Sequence, residues 1–163
     1  MKTFSFQNKL GQYILSYLQN YNHEKYWRRR SIVIDSSNRT NVLFKLYYLY
    51  YIKKIDAKHH CSFGTNLNSG SIFKTLPNLP HGPNGIIIGH DLEIGKNVTI
   101  FHQTTLAHGG GTIGDNVVFG SGSKLLKGIN VGDNVKIGMN CVVIENIPAN
   151  SSVVLCRPRI IVK

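Results

Sequence analysis

The strongest constraint on this 163-residue chain is a six-residue rhythm running from Ile86 to Val143. Apolar residues recur at Ile88, Ile94, Ile100 and Leu106, then at Ile113, Phe119, Leu125, Val131, Ile137 and Val143, with one slip of a single residue between Leu106 and Ile113. A glycine follows most of them: Gly89, Gly95, Gly114, Gly120, Gly132 and Gly138. Three residues after the apolar position stands Asp91, Asn97, Asn116, Gly122, Gly128, Asn134, Asn140 or Asn146. These residue types accept a left-handed backbone at a tight corner; Gln103 alone breaks the rule. One residue further on, Leu92, Val98, Val117, Ile129, Val135, Cys141 and Ile147 supply a second inward contact.

A period of six with a corner in each unit fits neither a helix nor a long alternating strand. It fits a solenoid of short strands, each turning at its Asn or Gly and stacking on the coil before it. Three hexapeptides close one triangular coil, so residues 18 apart fall into columns. The predicted columns are Ile88, Leu106, Leu125 and Val143; Ile94, Ile113 and Val131; and Ile100, Phe119 and Ile137. An ordinary sandwich with frequent turns is the alternative architecture.

The rest of the chain divides around this stretch. Residues 1–55 are predicted to be a helical N-terminal region. Leu10, Tyr13, Ile14, Tyr17, Leu18 and Tyr21 share one face of a first helix. After the polar break at Ser36-Ser37-Asn38, Thr40 or Asn41 caps a second helix over 42–55. That helix is apolar on nearly every side, with tyrosines at 47, 48, 50 and 51, so it is expected to be covered by the solenoid or by a second subunit. Its tyrosines with Lys53-Lys54 also leave peripheral membrane association open. The solenoid is predicted over 56–147. Within it, residues 68–85 are expected to leave the coil as a projecting loop, because Pro77, Pro80 and Pro83 cannot donate to a sheet ladder. After Pro148 the pattern ends and 148–163 forms a tail.

Charge and cysteine content bound the function. There are 19 Lys and Arg against 8 Asp and Glu. Residues 1–54 hold ten of the basic residues against only Glu24 and Asp35. Trp27-Arg28-Arg29-Arg30 is one short run with no nucleic-acid module around it, so an anionic small molecule or membrane surface is expected rather than nucleic acid. Three cysteines without a signal-peptide pattern at Met1-Lys2-Thr3 point to a reducing, cytoplasmic home. His59-His60-Cys61 has no second cluster to complete a structural metal site, so no metal is expected.

The rhythm resembles that of the hexapeptide-repeat acyltransferases. Within them, Ile55-Asp56 and Pro80-His81 through Lys163 look most like the serine acetyltransferases and the polysaccharide-cluster O-acetyltransferases related to them. The resemblance implies a mainly β fold, a left-handed parallel β-helix, with acetyl-CoA as co-substrate and assembly as a homotrimer. The handedness comes from the resemblance alone, since right-handed crossovers are the usual rule.

Acetyl transfer from a thioester to an alcohol needs a base, an oxyanion donor and a groove for the coenzyme arm. Histidine suits the first task, because its ordinary titration range lies near neutrality. By the resemblance the base is His81, in Pro80-His81-Gly82-Pro83-Asn84-Gly85-Ile86, which matches an Asp-His-x-x-Gly-Ile segment with one extra residue and with proline in place of the aspartate. Asp56 matches the aspartate that orients this histidine, and the separation of 25 residues equals one coil plus the proline loop. Ala107 is expected to offer its N–H to the oxyanion, and His108 to replace in part an Arg-His pair carried on a longer loop in the serine enzymes. Ser121 and Met139, each two residues after a stacked apolar position, are expected along the pantetheine groove. Arg157 and Arg159 stand where relatives carry a coenzyme-side Gly-x-Pro-Ala-Arg segment.

The acceptor predicted from these residues is a sugar hydroxyl on a polysaccharide or its precursor, because Pro80 offers neither charge nor donor to the ammonium group of free serine. Serine O-acetylation and a non-catalytic hexapeptide scaffold are the alternatives.

Overall fold

The computed structural model describes residues 9–156, with the backbone alone at positions 9, 10, 12, 13 and 15. The described residues fall into two compact units: 9–59 with 65–69, and 60–64 with 70–156.

The first unit is helical. Helix α1 spans Lys9–Gln19. Its Tyr17 and Leu18 are exposed, Ile14 is half-buried, and Tyr21 just beyond the helix is buried; the side chains of Leu10 and Tyr13 lie outside the described residues. Helix α2, His23–Ile34, was not anticipated. Asn22 caps it, its side-chain oxygen accepting from the Lys25 N–H at 2.9 Å, and Glu24 in the first turn complements the helix dipole. Helix α3 spans Val42–His59. The expected cap is Asn41, which accepts from the Leu43 N–H at 2.9 Å. The helix continues past 55 through Asp56 to His59, so the expected boundary at 55/56 falls inside α3. Asp56 is therefore a helix residue rather than the head of a coil.

A buried polar cluster holds α2 and α3 together. The Tyr26 hydroxyl donates to Asp56 Oδ1 at 2.6 Å. Arg30 lies buried with its Nε donating to Thr65 Oγ1 at 2.9 Å and its guanidinium 5.2 Å from the Trp27 ring. Burial lowers the Arg30 pKa to about 10, against the opposing pull of Tyr26 and Asp56, so it stays a cation at neutral pH. On the other side of α3, Val42, Leu43, Phe44, Leu46, Tyr47 and Tyr50 are exposed in the single chain. No helix among the described residues is long and apolar enough to cross a membrane.

The second unit is a left-handed parallel β-helix with three faces. One face stacks Phe63, Ile88, Leu106, Leu125 and Val143 in register. A second stacks Phe73, Ile94, Ile113, Val131 and Ile147. The third stacks Ile100, Phe119, Ile137 and Val153. Each predicted column is present, and all three run on beyond the members predicted for them, the first through Phe63, the second through Phe73 and Ile147 and the third through Val153. Except for the flanking Phe73, Ile147 and Val153, these residues are buried. Fully burying a side chain of this size stabilises a fold by roughly 1.5–3 kcal/mol, so the columns are the core.

Six of the eight predicted Asn, Asp and Gly corners, all but Asp91 and Asn146, take the left-handed backbone, with φ of 54° at Asn97 and 57° at Asn116 and Asn134. Their amides form a ladder. Asn97 Nδ2 donates to Asn116 Oδ1 at 3.3 Å, Asn116 to Asn134 at 3.0 Å and Asn134 to Asn150 at 2.9 Å. Gln103 takes the same backbone, φ 60°, and stacks directly on Gly85, where a Cβ would lie 3.2 Å from its Cγ.

Two predicted boundaries need correction. The segment 68–85 does not leave the coil as a whole. Ile72–Phe73 pairs with Glu93–Ile94, and Asn78 bridges Thr99. The ladder needs the N–H of Ile72, Lys74 and Asn78, which donate to Leu92, Ile94 and Val98. Pro77 and Pro80 flank those donors rather than replace them, so only the turn around 80–85 projects. At the other end Ser152–Val153 pairs with Lys136–Ile137, so the coil outlasts Pro148.

Candidate active site

The turn at 80–85 follows the Asn78 bridge and delivers His81 to the surface of the β-helix. Its Gly82 and Gly85 take φ of 67°, and the Asn84 side chain closes the turn by donating to the His81 carbonyl at 3.0 Å. The His81 ring is held on two sides. Phe101 meets it edge-on, with centroids 5.3 Å apart and planes at 83°. His102 lies beside it, Nδ1 to Nδ1 at 2.7 Å. His102 Nδ1 is also 3.3 Å from Ser121 Oγ.

His81, His102 and Ser121 thus form one polar line across adjacent coils. Two of its members were expected. His102 was missed, although the signal was present. Ser121 and Met139 lie two residues after Phe119 and Ile137, and Ile100 heads the same column. The same step from Ile100 lands on His102. Met139, the remaining member, is 66% exposed, as a residue lining an open groove would be.

The other expected residues sit elsewhere. Asp56 belongs to the helical unit, where it accepts from Tyr26. Ala107 is placed in the ladder, its N–H donating to the Leu125 carbonyl at 2.9 Å. That N–H is engaged by the fold, which corrects its assignment as the oxyanion donor. His108 anchors a second histidine cluster. Its Nδ1 accepts from the His90 N–H at 3.3 Å, its Nε2 lies 3.4 Å from Asp91 Oδ2, and the two imidazoles meet at 88°. Among the described residues no group of three or more His, Cys, Asp or Glu is placed to hold a metal ion. Arg157 and Arg159 lie outside the described residues.

Chemically, the line offers a solvent-accessible imidazole with one ring nitrogen held and the other available, beside a hydroxyl. That is the minimum a general-base site requires.

Residues 112–145 match the family model described as the hexapeptide repeat of succinyl-transferase. The chain is 34% identical to the serine acetyltransferase of Mycobacterium tuberculosis over 98 residues, which cover 56% of this chain and 42% of that protein. It is 42% identical to the serine acetyltransferase of Helicobacter pylori over 92 residues, 52% of this chain and 53% of that one. Among solved structures, isoform 3 of the Entamoeba histolytica serine acetyltransferase, in complex with cysteine, superposes with a TM-score of 0.61 at 30% identity, covering 72% of this chain and 43% of that chain. The Neisseria gonorrhoeae serine acetyltransferase in complex with serine gives 0.55 at 28% identity, covering 70% and 51%. The chain spans about half the length of the curated relatives it matches. Its β-helix carries a hexapeptide repeat over 112–145 and is similar to that of the serine acetyltransferases.

Proposed function

We propose that this chain is an acetyl-CoA-dependent O-acetyltransferase with His81 as general base and the hydroxyl of L-serine as acceptor. The observation that carries the reading is the His81–His102–Ser121 line, which sits on a β-helix similar to that of serine acetyltransferases. In the reaction, the acceptor oxygen attacks the thioester carbonyl carbon and its proton passes to His81 Nε2. The tetrahedral intermediate then collapses, the C–S bond breaks, and the proton is returned to the departing coenzyme A sulfur. A histidine is suited to both transfers because it takes and releases a proton near neutral pH. The groove residues of the proposal are Ser121 and Met139. Asp56 remains a candidate to orient His81, and a homotrimer remains the assembly that goes with the reading.

The names of the relatives favour serine over the sugar hydroxyl expected from the sequence. One observation keeps a sugar as the second reading: Pro80 precedes His81, and a proline side chain has neither a charge nor an acceptor for the ammonium group of serine. A site built without that contact discriminates weakly in favour of an amino acid. The deciding experiment incubates the protein with acetyl-CoA and either L-serine or a panel of sugars, following free thiol release. Turnover of serine with kcat/KM of about 10⁴ M⁻¹s⁻¹ or more, an ordinary level for an enzyme on its own substrate, supports the first reading. Turnover of a sugar alone supports the second, and thiol release with neither rejects both.

A further inference from the structure

We infer that His102 is the positioning residue for His81, so that the base works as one half of an imidazole–imidazole pair. The inference rests on the proposed reading for its catalytic consequence and on geometry for the pair itself.

Two Nδ1 atoms 2.7 Å apart are bonded only if one carries a proton and the other does not. There are therefore two arrangements. If His102 donates, His81 accepts at Nδ1 and carries its own proton on Nε2, leaving no lone pair for an acceptor hydroxyl. If His81 donates, its Nδ1 is protonated and Nε2 is the free lone pair. Only the second arrangement gives a base, and it asks His102 to be neutral with an unprotonated Nδ1. Ser121 favours that state, because its hydroxyl, 3.3 Å from the same nitrogen, can donate to it as well. When His81 takes the hydroxyl proton, the imidazolium keeps its Nδ1–H on His102, and the bond becomes charge-assisted and stronger. Stabilisation that grows as charge develops is what accelerates a step.

The surroundings fix the rest of the geometry. Phe101, one residue before His102, packs edge-on against the His81 ring. The backbone of 101–102 thus presents both a wall and a hydrogen-bond acceptor to a single imidazole. His102 is half-buried where His81 is exposed, which suits a support beneath a working group. A neutral acceptor also differs from a carboxylate in consequence: it fixes the tautomer without adding a fixed negative charge beside the acceptor site.

The test uses the full chain, with the variants His102→Phe and His102→Gln, each checked for wild-type far-UV circular dichroism. Nitrogen-15 imidazole spectra of His81 report which ring nitrogen carries the proton in the neutral form, independently of turnover. The expected wild-type result is Nδ1–H. His102→Phe should shift His81 to the Nε2–H form that free imidazoles favour. It should lower kcat by roughly the low end of the 10²–10⁴-fold that general-base catalysis supplies, with KM for acetyl-CoA little changed. His102→Gln, whose amide oxygen can still accept, should retain Nδ1–H and recover most of the rate. A wild-type protein that shows the Nδ1–H signature but turns over no acceptor would leave the pair standing and remove the proposed activity. A tautomer and kcat that are unchanged in His102→Phe would overturn the pair. A tautomer that shifts in Asp56→Asn instead would assign the orienting role to the aspartate.

Discussion

Replacing Asn134 separates the two things its corner does. Its backbone sits at φ 57°, and its side chain occupies the middle of the amide ladder, accepting from Asn116 at 3.0 Å and donating to Asn150 at 2.9 Å. Asn134→Gly removes both bonds and keeps a residue at ease in the left-handed region. The corner is exposed, so water reoccupies the freed groups and each bond is worth only about 0.5 kcal/mol, the low end for a net hydrogen bond. The expected loss is about 1 kcal/mol. Asn134→Ala loses the same two bonds and also forces a Cβ into left-handed backbone, at a further cost of about 1–2 kcal/mol. Its total should be about 2–3 kcal/mol. Urea unfolding followed by far-UV circular dichroism at fixed protein concentration reads both losses, and equal slopes show that the denatured states match. Equal losses in the two variants would refute the division between backbone and ladder. A glycine variant as stable as wild type would show that the ladder contributes nothing.

Three further outcomes are expected. His81→Ala should lose about 10²–10⁴-fold in thiol release from acetyl-CoA while unfolding as wild type does, and Asp56→Asn should cost less if it acts only through His81. Phe119→Ala empties a buried position between Ile100 and Ile137 and should destabilise by about 3–5 kcal/mol, whereas exposed Met139→Ala should stay within about 0.5 kcal/mol in the same urea titration. Hydrogen bonds from Ser37 hold the Asp35 carboxyl below its ordinary value of 3.8. The stability this contributes is present above that value and lost as pH falls through the lower folded value, so Ser37→Ala should flatten the acid limb of an unfolding-versus-pH curve.

The solenoid was legible because its period belongs to no other structure. Once Ile88, Leu106 and Leu125 were seen as one column, register, parallel pairing and corner chemistry followed, and the pairing reproduces them. What was misread had competing signals. Helix α2 buries Tyr26, Trp27, Arg30 and Val33, and the apolar side chains among them are separated by the Arg28-Arg29-Arg30 run, so the face looked like a charge cluster. The prolines at 77 and 80 suggested a departure from the coil, although a short strand asks only a few residues to donate. Ala107 was chosen by resemblance, which carried no information about its N–H bond to Leu125. His102 stands two residues after Ile100, the step that also gives Ser121 and Met139, but beside the irregular corner at Gln103, where the repeat is least regular.

The glycine run at 109–111 decides where this chain tolerates a change of length. All three residues have positive φ, and here the coil absorbs its one extra residue without disturbing the pairing of Lys124–Leu125 with Thr105–Leu106. Gly111 is pinned, since a Cβ there would lie 2.5 Å from the Ile129 carbonyl oxygen. Gly110 faces open space, with nothing within 4 Å of the place a Cβ would take. The register on either side is therefore insulated from whatever is spliced in at Gly110. A short peptide tag inserted there would leave the core columns unshifted, whereas a cysteine replacing Gly110 itself would place a Cβ at φ 78° and cost about 1–2 kcal/mol. The same addition at Gly122, where a Cβ would collide with Asn140 Oδ1, would throw every later coil out of step. One corner of the solenoid is a natural port for labelling, and it lies beside His108 rather than on the turn that carries His81.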